Sequence, residues 1–286
     1  MHFLYERITY LFDPLQRFYE HERMHRKISV LLIFLFLLSL VMIEVNRRHL
    51  LPPALGELLP LNHFSAVQTA FTVILILEVI SLIFVLPCSF SRSVGKQFEI
   101  LALILMRNAF KELSYFSEPI AFAGNEEKIL HILANGFGAL LIFALLGLYY
   151  MVQSRGSADK GRSVDLYAFV AAKKGISLVL LGSFIAMGIN AVFLQCMGKP
   201  HGDFLHGFYT LLVLSDILLV LVAQCFQPSS ITVFRNSGYA LSTLIIRIAL
   251  VAPVYYNVLL GVAAIIFAIS LALVHQRLFP DQTSEQ

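Results

Sequence analysis

The sequence predicts an all-α, polytopic integral membrane protein of about eight transmembrane helices, arranged as two parallel four-helix repeats. Three observations predict it. The 286-residue chain is 58% hydrophobic and only 14% charged, whereas ordinary soluble domains carry about 25% charged residues. Uncharged runs recur along it, and a helix needs about 20 apolar residues to cross the hydrocarbon core. Finally, the stretches beginning at Thr72 and Thr210 repeat one order of acidic and basic positions.

The apolar segments fall at 28–46, 67–87, 97–115, 128–153, 175–196, 207–226, 236–252 and 255–276. The third and seventh contain charges. Pro253 divides the last two, and the residue before a proline resists helix, so a tight hairpin is expected there. Orientation follows from Lys and Arg counts. With the N-terminus inside, the inner segments carry fourteen and the outer segments five. Both termini are therefore expected on the cytoplasmic side.

The expected organisation is a basic arm at 1–27, a first membrane unit at 28–153, a linker at 154–174, a second unit at 175–276 and a tail at 277–286. In the arm, Phe3, Tyr10, Phe12 and Phe18 interleave with Arg7, Arg17 and Arg23. That pattern suits a helix lying on the inner membrane surface, broken at Pro14. It reads as a lipid anchor or as a docking arm for a partner. No cleavable signal peptide is expected, because the first apolar run is too long for one. Cys88, Cys196 and Cys225 stand singly, which indicates neither a disulfide framework nor a thiolate metal site. No basic run suggests nucleic acid.

The repeat is read from "TVILILEVISLIFVLPCSFSRSVGKQFEILALILMRNAF" and "TLLVLSDILLVLVAQCFQPSSITVFRNSGYALSTLIIRIAL". Each opens on an apolar helix with one acid, Glu78 or Asp216. Each has a basic residue entering the next helix, Lys96 or Arg235, and an arginine deep within it, Arg107 or Arg247. The acid-to-arginine separations are 29 and 31 residues. Upstream, "RKISVLLIF" parallels "KKGISLVLL". Four crossings per unit give both units one orientation, as in parallel transporter halves.

Counting from the inner edge at about 1.5 Å per residue places Glu78 and Arg107 roughly 15 Å deep, near the midplane. Asp216 and Arg247 fall level with each other by the same count. Opposite charges at equal depth on adjacent antiparallel helices should pair, since a lone charge there is costly. Such pairs admit two readings. One is an ion, proton or substrate pathway. The other is a clasp that fixes which helices pack together.

This constellation, with the run "FRNSGYALSTLIIRIAL", resembles the phosphate-starvation-inducible PsiE family of small bacterial membrane proteins. The resemblance covers about 46 residues in each half and is stronger in the second. The first half departs from it with Lys96 at the basic position and an added Glu99. The resemblance implies a four-helix unit, here duplicated, with charge pairs Glu78/Arg107 and Asp216/Arg247. It also implies the bacterial cytoplasmic (inner) membrane. It implies little about activity.

"HERMH" at 21–25 matches the H-E-x-x-H pattern of zinc proteases. A zincin needs a third ligand and a dry cleft. Here Arg23, Arg26 and Lys27 crowd the motif, and no completing motif follows on the cytoplasmic side. A charged juxtamembrane turn is the reading it supports, so no enzyme activity, metal or other cofactor is expected. His49, His63, His201 and His206, with Asp203, read as polar loop residues, and only His131 lies in an apolar segment. Asn135 and Asn190 are candidates for lining a cavity. Ser183, Ser215 and Thr243 suit interhelical hydrogen bonds, and Gly136, Gly138, Gly182 and Gly188 suit close helix approach.

The functional expectation is an ion- or proton-linked transporter or channel that uses the two acid–arginine pairs. The alternative is a non-transporting scaffold or sensor subunit that recruits a partner through its N-terminal arm. The expected partners are the lipid bilayer and either a second copy or a membrane complex.

Overall fold

The computed structural model describes residues 2–48, 62–116, 121–154, 163–197, 204–226 and 229–278. All regular structure among these residues is helical. In chain order the helices are α1 (His2–Glu20), α2 (Glu22–Arg47), α3 (Ser65–Val85) and α4 (Phe90–Lys111), the last extended by a 3-10 turn, Glu112–Tyr115. Then follow α5 (Glu126–Ser154), α6 (Ser163–Cys196), α7 (Phe204–Phe226), α8 (Ser230–Val251) and α9 (Tyr256–Leu278). Six of them, α2, α3, α5, α6, α7 and α9, contain a stretch long and apolar enough to cross a membrane.

The outer faces are as apolar as the interior. Along α2, Val30, Ile33, Phe34, Leu37 and Val41 are all exposed. Similar rows run along α5 (Phe137, Leu140, Phe143) and α6 (Ile185, Ile189, Val192, Phe193). Exposed apolar surface on this scale mismatches water and matches hydrocarbon. The chain is a polytopic helical membrane protein.

The helices α4 and α8 are as long as the others, at 22 residues each. They begin earlier than the hydropathy suggests, at Phe90 rather than 97 and at Ser230 rather than 236. Their first turns hold Arg92 and Lys96, or Arg235 and Asn236. Such residues lower the local hydropathy while leaving one apolar stripe, and the stripe is enough to dock the helix. Likewise α6 starts at Ser163, so Lys173 and Lys174 lie within a helix and the latter part of the expected linker is helical.

Consecutive helices pack in order, with α2 on α3, α3 on α4 and α4 on α5, then α6 on α7, α7 on α8 and α8 on α9. The main core lies where α4, α5, α8 and α9 meet. Phe98, Leu101, Leu105, Ile142, Tyr149, Tyr239, Ile246 and Ile265 close it. Within it α5 and α9 run parallel, joined by Asn257 Nδ2 donating to Asn135 Oδ1 at 3.0 Å and by Gln276 Nε2 donating to the Val152 carbonyl at 2.6 Å. The junction of α4 with α5 is tied by Tyr149 Oη donating to the Ser91 carbonyl at 2.8 Å and Tyr150 Oη donating to Glu99 Oε1 at 2.9 Å. Gly95 makes room there, since a Cβ would fall 2.7 Å from a Tyr150 ring carbon.

The hairpin between α8 and α9 turns at Pro253, and Tyr255 adopts φ of 76°. A non-glycine residue there costs about 1–2 kcal/mol, offset in part by its edge contact with the His131 ring at 5.4 Å.

The N-terminal helix departs from expectation twice. It runs unbroken through Pro14, and the break falls instead at His21. It also packs against its own bundle. Phe12 is buried against Phe84, with ring centres 5.6 Å apart. Asp13 Oδ1 lies 2.6 Å from Lys174 Nζ, and Tyr19 Oη donates to the Leu77 carbonyl at 2.6 Å. Anchors on both sides of Pro14 keep the helix continuous despite the lost backbone hydrogen bond. Burial pushes the Tyr19 hydroxyl above the ordinary tyrosine pKa, so it stays a donor. Tyr10, Leu11 and Phe18 remain exposed on the opposite side.

Candidate functional site: two acid–arginine pairs inside the bundle

Each pair joins a helix to the next in sequence. Glu78 sits on α3 among Leu75, Val79 and Leu82, all wholly or partly buried. Arg107 sits on α4, and its Nη1 donates to Glu78 Oε2 at 2.7 Å. Both side chains are almost enclosed, at 8% exposed for arginine and 12% for glutamate. The register is set on either side, by Phe71 stacked on Phe110 and by Leu82 packed with Ile100 and Ile104. A charged hydrogen bond of this length is strong, and the apolar surroundings strengthen it further.

The second pair is built on α7 and α8 in the same way but does not close. Arg247 Nε stands 3.7 Å from Asp216 Oδ2, beyond hydrogen-bond reach. Arg247 is only 1% exposed, and its Nε, Nη1 and Nη2 all lack a hydrogen-bond partner, as does Asp216 Oδ2. The two pairs thus share a helix arrangement and differ in chemistry.

Beside Asp216 lies a small cavity at the junction of α4, α7 and α8, lined also by Ser93, Gln97 and Thr243. Gln97 is buried, its Nε2 faces Ser93 Oγ at 3.4 Å, and its Oε1 has no partner.

The remaining sequence candidates separate into three groups. Lys96 is half exposed and pairs with Glu99 at 2.5 Å on its own helix, away from the buried charges. Arg235 is partly buried near the start of α8. Asn135 is fully buried but engaged by Asn257, so it joins α5 to α9 rather than lining a described cavity. Asn190 is exposed on α6 beside Ile189 and Val192, which line an open apolar groove with Ile76 and Ile80 of α3. Of the four glycines expected at close contacts, only Gly138 meets a neighbour, Val258, while Gly136, Gly182 and Gly188 face open space.

The histidine motif is dismantled by the chain path. His21 lies between α1 and α2 and is exposed, so it does not share a continuous helix with His25. The side chains of Glu22, Arg23 and His25 are outside the described residues, as are His49, His201, Asp203 and the side chain of His206. His63 lies 3.3 Å from Glu44. Among the described residues, no group of three His, Cys, Asp or Glu side chains could hold a metal ion.

Sequence reasoning missed two residues that matter. Lys173 is buried, with its Nζ donating to the Cys88 carbonyl at 3.0 Å and lying 4.3 Å from the ring centres of both Phe90 and Phe169. Cation–π contacts of this kind gain in value once desolvated, and this one pins α6 to the turn between α3 and α4. The available signal was Phe169, one helical turn before the lysine. The second is Asn257, whose pairing with Asn135 carries no sequence signature. Asn257→Leu is expected to cost about 1 kcal/mol, the usual scale of an interhelical polar contact. Detergent unfolding would show it as a modest loss of stability, and no loss would remove Asn257 from the packing account.

No protein-family model matches the chain, and neither a curated protein nor a solved structure matches it. The fold and the site define a class, an all-helical polytopic membrane protein with two buried acid–arginine pairs on successive helix pairs.

Proposed function

We propose that this protein is an ion- or proton-linked transporter or channel of the bacterial cytoplasmic membrane, built as a tandem duplication of a PsiE-like four-helix unit. The observation that carries the reading is the recurrence of one buried acid–arginine pair on α3/α4 and again on α7/α8. Burying charge in a lipid-facing bundle is expensive, and intramembrane ionisable residues commonly mark pathways. The packing order supports the duplication, because α2 to α5 and α6 to α9 make the same consecutive contacts. The parallel run of α5 and α9 supports a common orientation of the two units. On this reading α4 and α8 also cross the bilayer, giving eight crossings with both termini cytoplasmic. Protonating a carboxylate would release its arginine, and the change in pairing would gate the path.

The test is flux in proteoliposomes. Wild-type protein should carry a proton or ion current driven by an imposed gradient. Glu78→Gln combined with Asp216→Asn should abolish it while the protein remains folded and inserted. Unchanged flux in that variant, or no flux for wild type across a panel of ions, would favour the scaffold reading. In that reading the exposed face of α1, with Tyr10, Leu11 and Phe18, recruits the partner, which should then co-purify in stoichiometric amount in mild detergent.

A further inference from the structure

The two copies of the charge pair are not chemically equivalent. The first is closed, with a direct hydrogen bond of 2.7 Å. The second leaves a set of polar atoms unsatisfied on three buried side chains. These are Asp216 Oδ2 and Gln97 Oε1, which accept, and Arg247 Nε, Nη1 and Nη2, which donate. Native interiors pair such groups with protein or water, because a buried polar atom left unpaired is costly, and a charged one more so. Asp216 and Gln97 both border the cavity where α4 meets α7 and α8, with Ser93 and Thr243 beside them.

The cavity and the orphaned atoms together define the guest. The volume is about 20 Å³, enough for a water, which needs at least about 10–15 Å³ by this measure. It excludes any organic solute. The orphans that border it, Asp216 Oδ2 and Gln97 Oε1, are both acceptors. A simple anion cannot donate to them, and Arg247, 3.7 Å from Asp216 Oδ2, repels a metal cation there. Water can donate to both.

We propose that this chamber is a water site at which Asp216 takes up and releases a proton, so that the solute handled by the second unit is the proton itself. The role in transport rests on the proton-linked reading above. A hydronium in the chamber gives up one O–H bond as a new O–H bond forms at Asp216 Oδ2. Water remains, and Arg247 keeps its charge. Return of the proton to water reverses the step. Arg247 on α8 is the charged group facing Asp216, at 3.7 Å. From α4 the neighbours are uncharged Ser93 and Gln97. On the α6 side of α7, Leu180 and Phe184 belong to one apolar cluster with Leu212 and Leu219. Glu78 on α3 is held by Arg107. The first pair is therefore the fixed clasp and the second the working site.

The experiment is infrared difference spectroscopy of the purified full chain in detergent, recorded on stepping the pH, in H2O and in D2O. Wild type should show a protonated-carboxyl band that shifts in D2O. The band should vanish in Asp216→Asn and persist in Glu78→Gln. In Gln97→Leu, which removes an acceptor from the chamber and leaves both charges, it should change frequency. A band insensitive to D2O, absent from wild type, lost in Glu78→Gln, or unmoved in Gln97→Leu would overturn the proposal. Gln97→Leu keeps the test decisive if Asp216→Asn fails to fold. The expected band without proton flux in vesicles would support the water site and remove the transport reading.

Discussion

Glu78→Gln is expected to destabilise the protein by roughly 3–5 kcal/mol, the cost of stranding a buried charge whose partner has gone. Arg107 would keep a neutral acceptor beside it and lose its counter-charge, in a site where only 8% of its side chain reaches solvent. Arg107→Met alone should cost a similar amount, through the orphaned carboxylate. The double variant should recover most of the loss, because two uncharged side chains of similar volume need no mutual compensation. Asp216→Asn is expected to cost somewhat less, about 2–3 kcal/mol, because Arg247 is only 1% exposed and loses the charge opposite it at 3.7 Å but no direct hydrogen bond. Unfolding of each variant in mixed micelles, arranged as two double-mutant cycles, measures both couplings. A strong coupling at Glu78–Arg107 and a weaker one at Asp216–Arg247 is the expected pattern. Equal couplings would mean that the open geometry of the second pair does not describe the protein in detergent.

The same contrast shows how much the sequence could reveal. The positions of both pairs were legible, because a lone charge in an apolar run is conspicuous and a count along two antiparallel helices relates their depths. Their difference was not legible. Asp216 is one methylene shorter than Glu78, but whether an arginine closes on its acid at 2.7 Å or stops at 3.7 Å also depends on how the two helices pack. Gln97 carried too weak a signal, since a single amide beside Lys96 reads as the polar edge of a span. Only the third dimension sets it against Asp216, more than a hundred residues away. The apolar cores of the helices were plain, whereas the first turns of α4 and α8 were hidden by Arg92, Lys96 and Arg235, which a hydropathy average treats as an end. The path of α1 departs from its local signal for a related reason. Pro14 is a strong local signal for a break, and the buried ring of Phe12 is a tertiary fact that overrides it.

Gly138→Ala is expected to destabilise by about 1–3 kcal/mol, although alanine is the better helix former. The added Cβ would lie 2.5 and 2.6 Å from the two Cγ atoms of Val258 and 3.1 Å from its Cβ. Valine cannot rotate clear, because both methyls and the branching carbon are already in contact and its χ1 is stiff. The helices α5 and α9 must then part, and the neighbouring Asn135–Asn257 hydrogen bond lengthens with them. Gly261→Ala, on the same seam, should cost less. Its nearest neighbour, at 2.7 Å, is the terminal carbon of Ile142, which can swing aside, and the next is Leu101 at 3.1 Å. Gly136→Ala meets nothing within 4 Å and should stabilise by up to about 1 kcal/mol through helix propensity alone. Two residues apart on one helix, Gly136 and Gly138 should therefore respond with opposite signs. Adding Val258→Ala to Gly138→Ala should restore most of the lost stability, because it removes both methyls that the new Cβ would strike. Stabilisation by Gly138→Ala, or failure of Val258→Ala to rescue it, would show that α5 and α9 are not held together at this seam. Rescue would fix the parallel α5–α9 contact, on which the proposed common orientation of the two four-helix units depends.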